Sequence, residues 1–355
     1  MITIVGHFGT LYSYATVAGR VAEALRAHGL LAECQNLDPA WHPRWEHLRD
    51  ERSQGTHLLL ITAPHHYVAG YAETVGRGRA AIFVSPNTDR LAEEHGETVS
   101  HFGLAIAPSR FCAHTTAMSA SPDALTVLPL GCPITSSFCK ADRAYGAPVR
   151  VLHFTSDQAW PSRKGTEVLL DAWAQRLRHS VPATLTIHGP PALQKDVLYK
   201  IADLGIDETV DYVVSGKFGS SDEELSSLYA HADLIVAPSR SEGFGMMMLG
   251  ALVAGVPLVT TCNTGHAEFL RQRPGAWLPI PTPRSGGIAL EFGDAPIVEA
   301  ADIVEALSLG ITPFARDWMM NAPPAKGEAA EPGWGTWDHA LVRWVERLKE
   351  WTEET

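Results

Sequence analysis

The sequence predicts an α/β chain of two doubly wound parallel sheets. Short apolar runs of strand length alternate with stretches of helical periodicity, which is the pattern of parallel sheets covered by helices. Most runs end in a loop of Gly, Pro, Ser or Asn. The 355 residues, 45% of them apolar, suffice for two cores.

In chain order, residues 2–5 read as a buried strand. The loop GHFGTLYS and a helix over 14–28 follow, with Val17, Val21, Ala24 and Leu25 on one face and Gly29 as the stop. Strands are predicted over 57–62, 80–84, 104–107 and 125–128. They end respectively in Ala63-Pro64-His65-His66-Tyr67, Ser85-Pro86-Asn87-Thr88-Asp89, Pro108-Ser109-Arg110-Phe111 and Pro129-Leu130-Gly131-Cys132-Pro133. A linker of small residues and Pro spans about 140–148. A second sheet starts at 149–153, followed by the loop FTSDQAWPSRKG and a helix from 166 to about 177. Strands at 184–188 and 210–214 precede Ser221-Asp222-Glu223-Glu224, a capping box for a helix ending near His231. The run 234–237 leads into Pro238–Gly245 and a helix over 246–254. Gly255 is placed as its C′ residue, Pro257 prevents continuation, and 258–261 is a strand. A helical stretch near 297–309, a Pro- and Gly-rich segment at 323–335 and a helix over 336–351 complete the chain. Leu341, Trp344, Val345 and Leu348 share one face of that last helix. The expected domains are 1–147, 148–320 and a crossover segment 321–355.

Composition excludes several classes. A formal net charge of −12 argues against nucleic acid as a partner. Lys140 is the only lysine in the first 150 residues, so no polybasic membrane patch is expected. Residues 243–265 contain no Asp, Glu, Lys, Arg or His, but Gly255 and Pro257 divide the run into a short helix and a strand. MITIVGHFG has no basic n-region and begins with a strand, so no signal peptide is expected. Five cysteines without a CxxC point to a reducing, cytoplasmic setting and no metal cluster. No nucleophile elbow and no three-glycine dinucleotide fingerprint are present.

Two stretches carry most of the chemistry. Arg163-Lys164-Gly165 sets two cations just before a helix start, where the macrodipole disfavours positive charge. A bound anion resolves that conflict; a solvated surface pair is the other reading. Glu242-Gly243-Phe244-Gly245 follows a strand and opens a helix, so backbone N–H groups can approach a ligand. Glu242 either serves the helix dipole or contacts a ligand.

PSRSEGFG, AxxAGVPLVTT and TGHAE resemble the donor-site signature of retaining GT-B glycosyltransferases, in particular glycosyltransferase family 4. PSRF and VLPLGCP resemble the end of that family's N-terminal domain. The resemblance implies two Rossmann-like domains facing a cleft, with the C-terminal helix crossing back to the N-terminal domain. It implies a nucleotide-sugar donor, such as a UDP- or GDP-sugar, and no other cofactor. Arg163 and Lys164 then match the diphosphate clamp. Glu242, Ser239 and the backbone of Gly243, Phe244 and Gly245 match the sugar-binding loop. Gly265, His266 and Glu268 match the phosphate- and nucleotide-facing turn, with a plain strand–helix connection as the other reading. Gly9, with Thr10 beside it, lies in the loop that faces donor phosphates and acceptor, although Gly6 and Gly9 also read as turn residues. His65, His66, Asn87 and Asp89 are the acceptor-side candidates; the family's usual cleft histidine is missing from SPNTD. No carboxylate pair suits a metal. The expected activity is transfer with retention to a soluble small-molecule acceptor. A sugar-nucleotide epimerase or phosphorylase, or an inactive binder, are the alternatives.

One position departs from the family pattern. Its second glutamate falls at Gly250. Gly inside a helix costs about 0.5–1 kcal/mol relative to Ala, so Gly250 is expected to make room, either for a nucleotide held by another group such as Glu268 or for close helix packing.

Overall fold

The computed structural model describes residues 1–49, 55–135, 138–142, 144, 146–156, 163–176, 182–216, 219–282, 287–290, 293–296, 298–321 and 335–355. Part of FTSDQAWPSRKG and most of 323–335 lie outside these. The chain divides into two compact units. The first comprises 1–131, 291–293 and 332–355; the second comprises 132–290 and 294–331.

In the first unit the elements are β1 (Ile2–Gly6), α1 (Ser13–Ala27), β2 (Leu31–Asn36), β3 (His57–Ile61), α2 (Ala69–Val75), β4 (Ala80–Phe83), α3 (Glu93–Val99), β5 (Leu104–Ala107), α4 (Arg110–Ser119) and β6 (Ala124–Val127). All six strands are parallel, in the order β2-β1-β3-β4-β5-β6. β1, β3, β4 and β5 are buried throughout, as the two covered faces of a parallel sheet require.

In the second unit the elements are β7 (Val149–Phe154), α5 (Thr166–Arg176), β8 (Ala183–Gly189), α6 (Pro191–Leu204), β9 (Val210–Val214), α7 (Asp222–His231), β10 (Leu234–Ala237), α8 (Met246–Val253), β11 (Leu258–Thr260), α9 (Ala267–Arg271) and β12 (Trp277–Pro279). Its parallel sheet has the order β12-β11-β10-β7-β8-β9. A two-stranded pair follows, β13 (Gly287–Leu290) with β14 (Gly293–Pro296), then α10 (Ala300–Gly310) and α11 (Pro313–Met320). The capping box on α7 forms in both directions, Ser221 Oγ accepting from Glu224 N at 3.2 Å and Glu224 Oε2 from Ser221 N at 2.7 Å.

The chain enters the second unit at Cys132, ahead of the 147/148 boundary expected from composition. Thr135 and Ala141 are tied to α7: Thr135 N donates to Ser226 Oγ at 3.1 Å and Ala141 N to Ala230 O at 2.9 Å. The final helix, α12 (Trp337–Glu354), belongs to the first unit. Its buried tryptophans recur every seven residues. Trp344 Nε1 donates to Pro129 O at 3.0 Å and Trp351 Nε1 to Gly78 O at 3.2 Å. Among the described residues no helix is long and apolar enough to cross a membrane.

Candidate functional site

Three neighbouring strands of the second unit, β7, β10 and β11, send their carboxyl-end loops to one place. In an open parallel sheet that end is where ligands bind. The Arg163-Lys164-Gly165 turn precedes α5, Pro238–Gly245 joins β10 to α8, and Thr261–His266 joins β11 to α9.

These loops meet backbone to backbone. Gly165 has φ +70°, and a Cβ there would collide with Pro238 O. Arg240 N donates to Arg163 O at 2.9 Å. A Cβ on Gly265 would collide with Gly243 O. Gly265 N donates to Glu242 O at 2.9 Å, and Glu242 N donates to Thr264 Oγ1 at 2.8 Å. Gly245, the residue before α8, has φ +93°, a region other side chains rarely adopt. Phe244 is buried against Phe269, ring centroids 5.7 Å apart.

Inside this frame Glu242 receives two cations. Lys164 Nζ lies 2.5 Å from Oε1 and Arg163 Nη1 2.9 Å from Oε2. Ser239 Oγ donates to Oε1 at 2.9 Å. Arg163 also donates to Ser241 O at 2.5 Å. Burial alone would raise the Glu242 pKa, but Arg163 and then Lys164 hold it well below the usual carboxylate range. Burial pushes Lys164 down, partly offset by Glu242. Arg240 and Glu167 form a separate pair at 2.6 Å.

The histidines nearby are neutral braces. His266 is fully buried, and its Nε2 donates to Thr261 O at 2.9 Å; burial takes its pKa from 6.5 to about 4. His153, at the end of β7, donates from Nδ1 to Val236 O at 3.0 Å and accepts at Nε2 from Thr166 Oγ1 at 2.9 Å. Burial takes it to about 4 as well. With both rings neutral, Arg163, Lys164 and Glu242 together carry one surplus positive charge. Desolvating such a group is expensive unless something compensates it. The arrangement can hold an anion against fixed cations.

The structure thus gathers Arg163, Lys164, Ser239, Glu242, Gly243, Phe244, Gly245, Gly265 and His266, with His266 facing inward as a brace. Glu268 is half-buried in the first turn of α9. Gly9 and Thr10 follow β1, and Asn87 and Asp89 follow β4, in the first unit. His65 and His66 join a ring cluster there: His65 stacks on Tyr67 at 5.6 Å and meets His95 edge-on at 5.2 Å, and His66 meets Tyr67 at 6.0 Å. Sequence reasoning passed over Thr264 and the His153–Thr166 pair, which hold the turns in place. Among the described residues no cluster of three or more His, Cys, Asp or Glu is placed to hold a metal ion.

Gly250 has a packing reason. A Cβ there would stand 2.6 Å from the Tyr229 hydroxyl, which donates to Met247 O at 2.6 Å. Tyr229 is fully buried and its ring lies 5.2 Å from that of Phe154. Of the two expectations for this position, close packing is the one the structure supports. Gly250→Glu is expected to cost about 1–3 kcal/mol by overpacking and to leave UDP affinity no higher. Thermal unfolding and calorimetric UDP titration of the variant check this. A tenfold gain in affinity with unchanged unfolding would sink the packing explanation.

Residues 149–289 match the family described as Glycosyl transferases group 1. Among curated relatives, a D-inositol 3-phosphate glycosyltransferase of Pseudarthrobacter chlorophenolicus is 29% identical over 176 residues, 48% of this chain and 38% of that protein. An MMP alpha-(1->4)-mannosyltransferase of Mycolicibacterium hassiacum is 31% identical over 147 residues, 41% and 33% respectively. The matched part of the chain therefore spans about a third of the length of these relatives. Among solved structures, Anabaena Alr3699/HepE in complex with UDP-glucose superposes with a TM-score of 0.69 at 14% identity, covering 100% of this chain and 99% of that one. The sucrose-phosphate synthase of Thermosynechococcus elongatus gives 0.67 at 12%, with coverage of 100% and 99%. The chain folds as a two-domain Rossmann-like α/β protein of the GT-B type, and its second unit carries the segment similar to glycosyl transferases group 1.

Proposed function

We propose that this chain is a nucleotide-sugar-dependent glycosyltransferase that moves a sugar, with retention of anomeric configuration, to a soluble small-molecule acceptor. The observation that carries the proposal is the largely buried Arg163–Lys164–Glu242 cluster, surplus in positive charge, at the carboxyl ends of β7 and β10. As the glycosidic bond breaks, the bonding electrons leave with the diphosphate. Cations already held in place stabilise that charge without reorganising. Arg163 and Lys164 supply them, and Glu242 keeps them aimed. The sugar hydroxyls would be taken by Glu242 and the backbone of Gly243–Gly245. Retention rests on the motif resemblance, with the leaving phosphate accepting the acceptor's proton. The relatives named above, an inositol phosphate glycosyltransferase and a mannosyltransferase, support a polyol or sugar acceptor, and the neighbour solved with UDP-glucose supports a nucleotide-linked sugar donor. A cytoplasmic setting and metal independence belong to the same reading.

Incubation with UDP- and GDP-sugars, with myo-inositol phosphate and simple glycosides as acceptors, tests it. Turnover is expected with and without a chelator, and NMR of the product is expected to show the donor's anomeric configuration. Consumption of no donor, or activity lost to the chelator and restored by Mg²⁺ or Mn²⁺, would contradict the corresponding part.

A further inference from the structure

We propose that the carboxyl ends of β1, β2 and β3 carry a binding subsite for a polyhydroxylated small molecule, with Asp38 and His7 as its polar groups and Trp41 as its apolar platform. It rests on the transferase reading, in which such a molecule is the acceptor.

These three strands are adjacent, and the segments that follow them supply His7, Asp38 and Thr62. Asp38 Oδ1 lies 2.8 Å from His7 Nδ1, and His7 Nε2 lies 2.9 Å from Thr62 Oγ1. The carboxylate fixes the proton on Nδ1, so Thr62 donates to Nε2. Asp38 Oδ2 accepts from Gly9 N at 2.6 Å. Thr62 is buried, whereas the side chains of His7 and Asp38 keep 35% and 20% of their surface.

A bracing role alone does not account for the charge. Asn36 already ties the two loops together: its Oδ1 accepts from Phe8 N at 2.8 Å and Asp38 N at 3.0 Å, and its Nδ2 donates to Ala40 O at 2.9 Å. His42 N adds a bond to Phe8 O at 2.7 Å. A carboxylate offers about four acceptor positions, and His7 and Gly9 leave capacity for further donors. Vicinal hydroxyls are such donors.

Beside them, Trp41 stacks on Phe8, with centroids 4.9 Å apart and planes at 21°. Phe8 is fully buried and backs one face of the indole, while Trp41 itself is half-buried. The negative face of an aromatic ring suits the C–H face of a sugar or cyclitol ring. One apolar surface with a few converging polar groups is the usual make-up of a small-molecule site.

Saturation-transfer NMR on the full chain tests this, with myo-inositol, methyl α-D-glucopyranoside and glucose 6-phosphate as probes and UDP titration run alongside. At least one probe is expected to bind the natural chain, and at least tenfold more weakly to Asp38→Asn and Trp41→Ala. The amide introduced by Asp38→Asn retains an acceptor for Gly9 N and so should preserve the loop, and Trp41→Phe should restore binding. UDP affinity should stay the same in all variants. Binding of none of the probes, or equal binding by both variants, would overturn the subsite. Failure of UDP to bind the natural chain while a probe does would overturn the donor assignment and leave the subsite standing.

Discussion

Replacing Lys164 with Ala is expected to lower transfer by about 10²-fold or more, the range for losing one preorganised charge contact. Lys164 Nζ sits 2.5 Å from Glu242, and its side chain keeps 14% of its surface beside the buried Arg163. Its removal leaves Arg163 and Glu242 as a balanced pair and abolishes the surplus charge that favours an anion. Because the charge on the leaving diphosphate grows as the bond breaks, kcat should fall more than donor KM rises. Steady-state kinetics on the sugar nucleotide that the natural chain turns over would measure both. Near-normal turnover by Lys164→Ala would remove Lys164 from the diphosphate site.

The fold was legible where strands are buried on both faces. Residues 104–107 and 234–237 are bounded in the structure as apolar patterning places them. β2 escaped notice because it is an edge strand whose sequence, LAECQN, mixes buried and exposed positions. α6 escaped although its signals are present: Pro191 opens it, Leu193, Val197 and Ile201 recur on one buried face, and Gly205 closes it in the left-handed conformation.

The site was legible only in part, for a topological reason. Glu242 and the Arg163–Lys164 pair lie far apart in sequence, and nothing in either motif states that they touch. They meet because β10 lies between β7 and β11, so the loops after all three strands share one end of the sheet. The same holds for Gly250. A helical glycine signals close approach, but only the fold brings the Tyr229 hydroxyl to it. His7, Asp38 and Thr62 are likewise united by strand order, while each alone is an ordinary loop residue. The loop glycines were easier to read, since Gly165 and Gly245 occupy conformations that other residues avoid.

Stability is expected to fall as pH drops from 6.5 towards 4, because His153 and His266 are buried as neutral rings. Burial carries both from 6.5 to about 4 in the folded chain. Below 6.5 the unfolded chain takes up protons that the folded chain refuses, so each ring contributes a loss approaching about 1.4 kcal/mol per pH unit. The loss ends near pH 4, where the folded rings also protonate, and it is absent above 6.5. His42, His57 and His188 shift in the same direction and add to the slope. Glu242 acts elsewhere. Its carboxyl is held low, so its stabilising contribution is present above the usual carboxylate range and is lost only at more acidic pH. Denaturant unfolding midpoints between pH 7 and 4 would measure the slope. In the double variant His153→Asn, His266→Gln the amide N–H groups can replace the bonds to Val236 O and Thr261 O without titrating. The variant should show a clearly shallower slope, and a slope equal to that of the natural chain would exclude these two rings as its source.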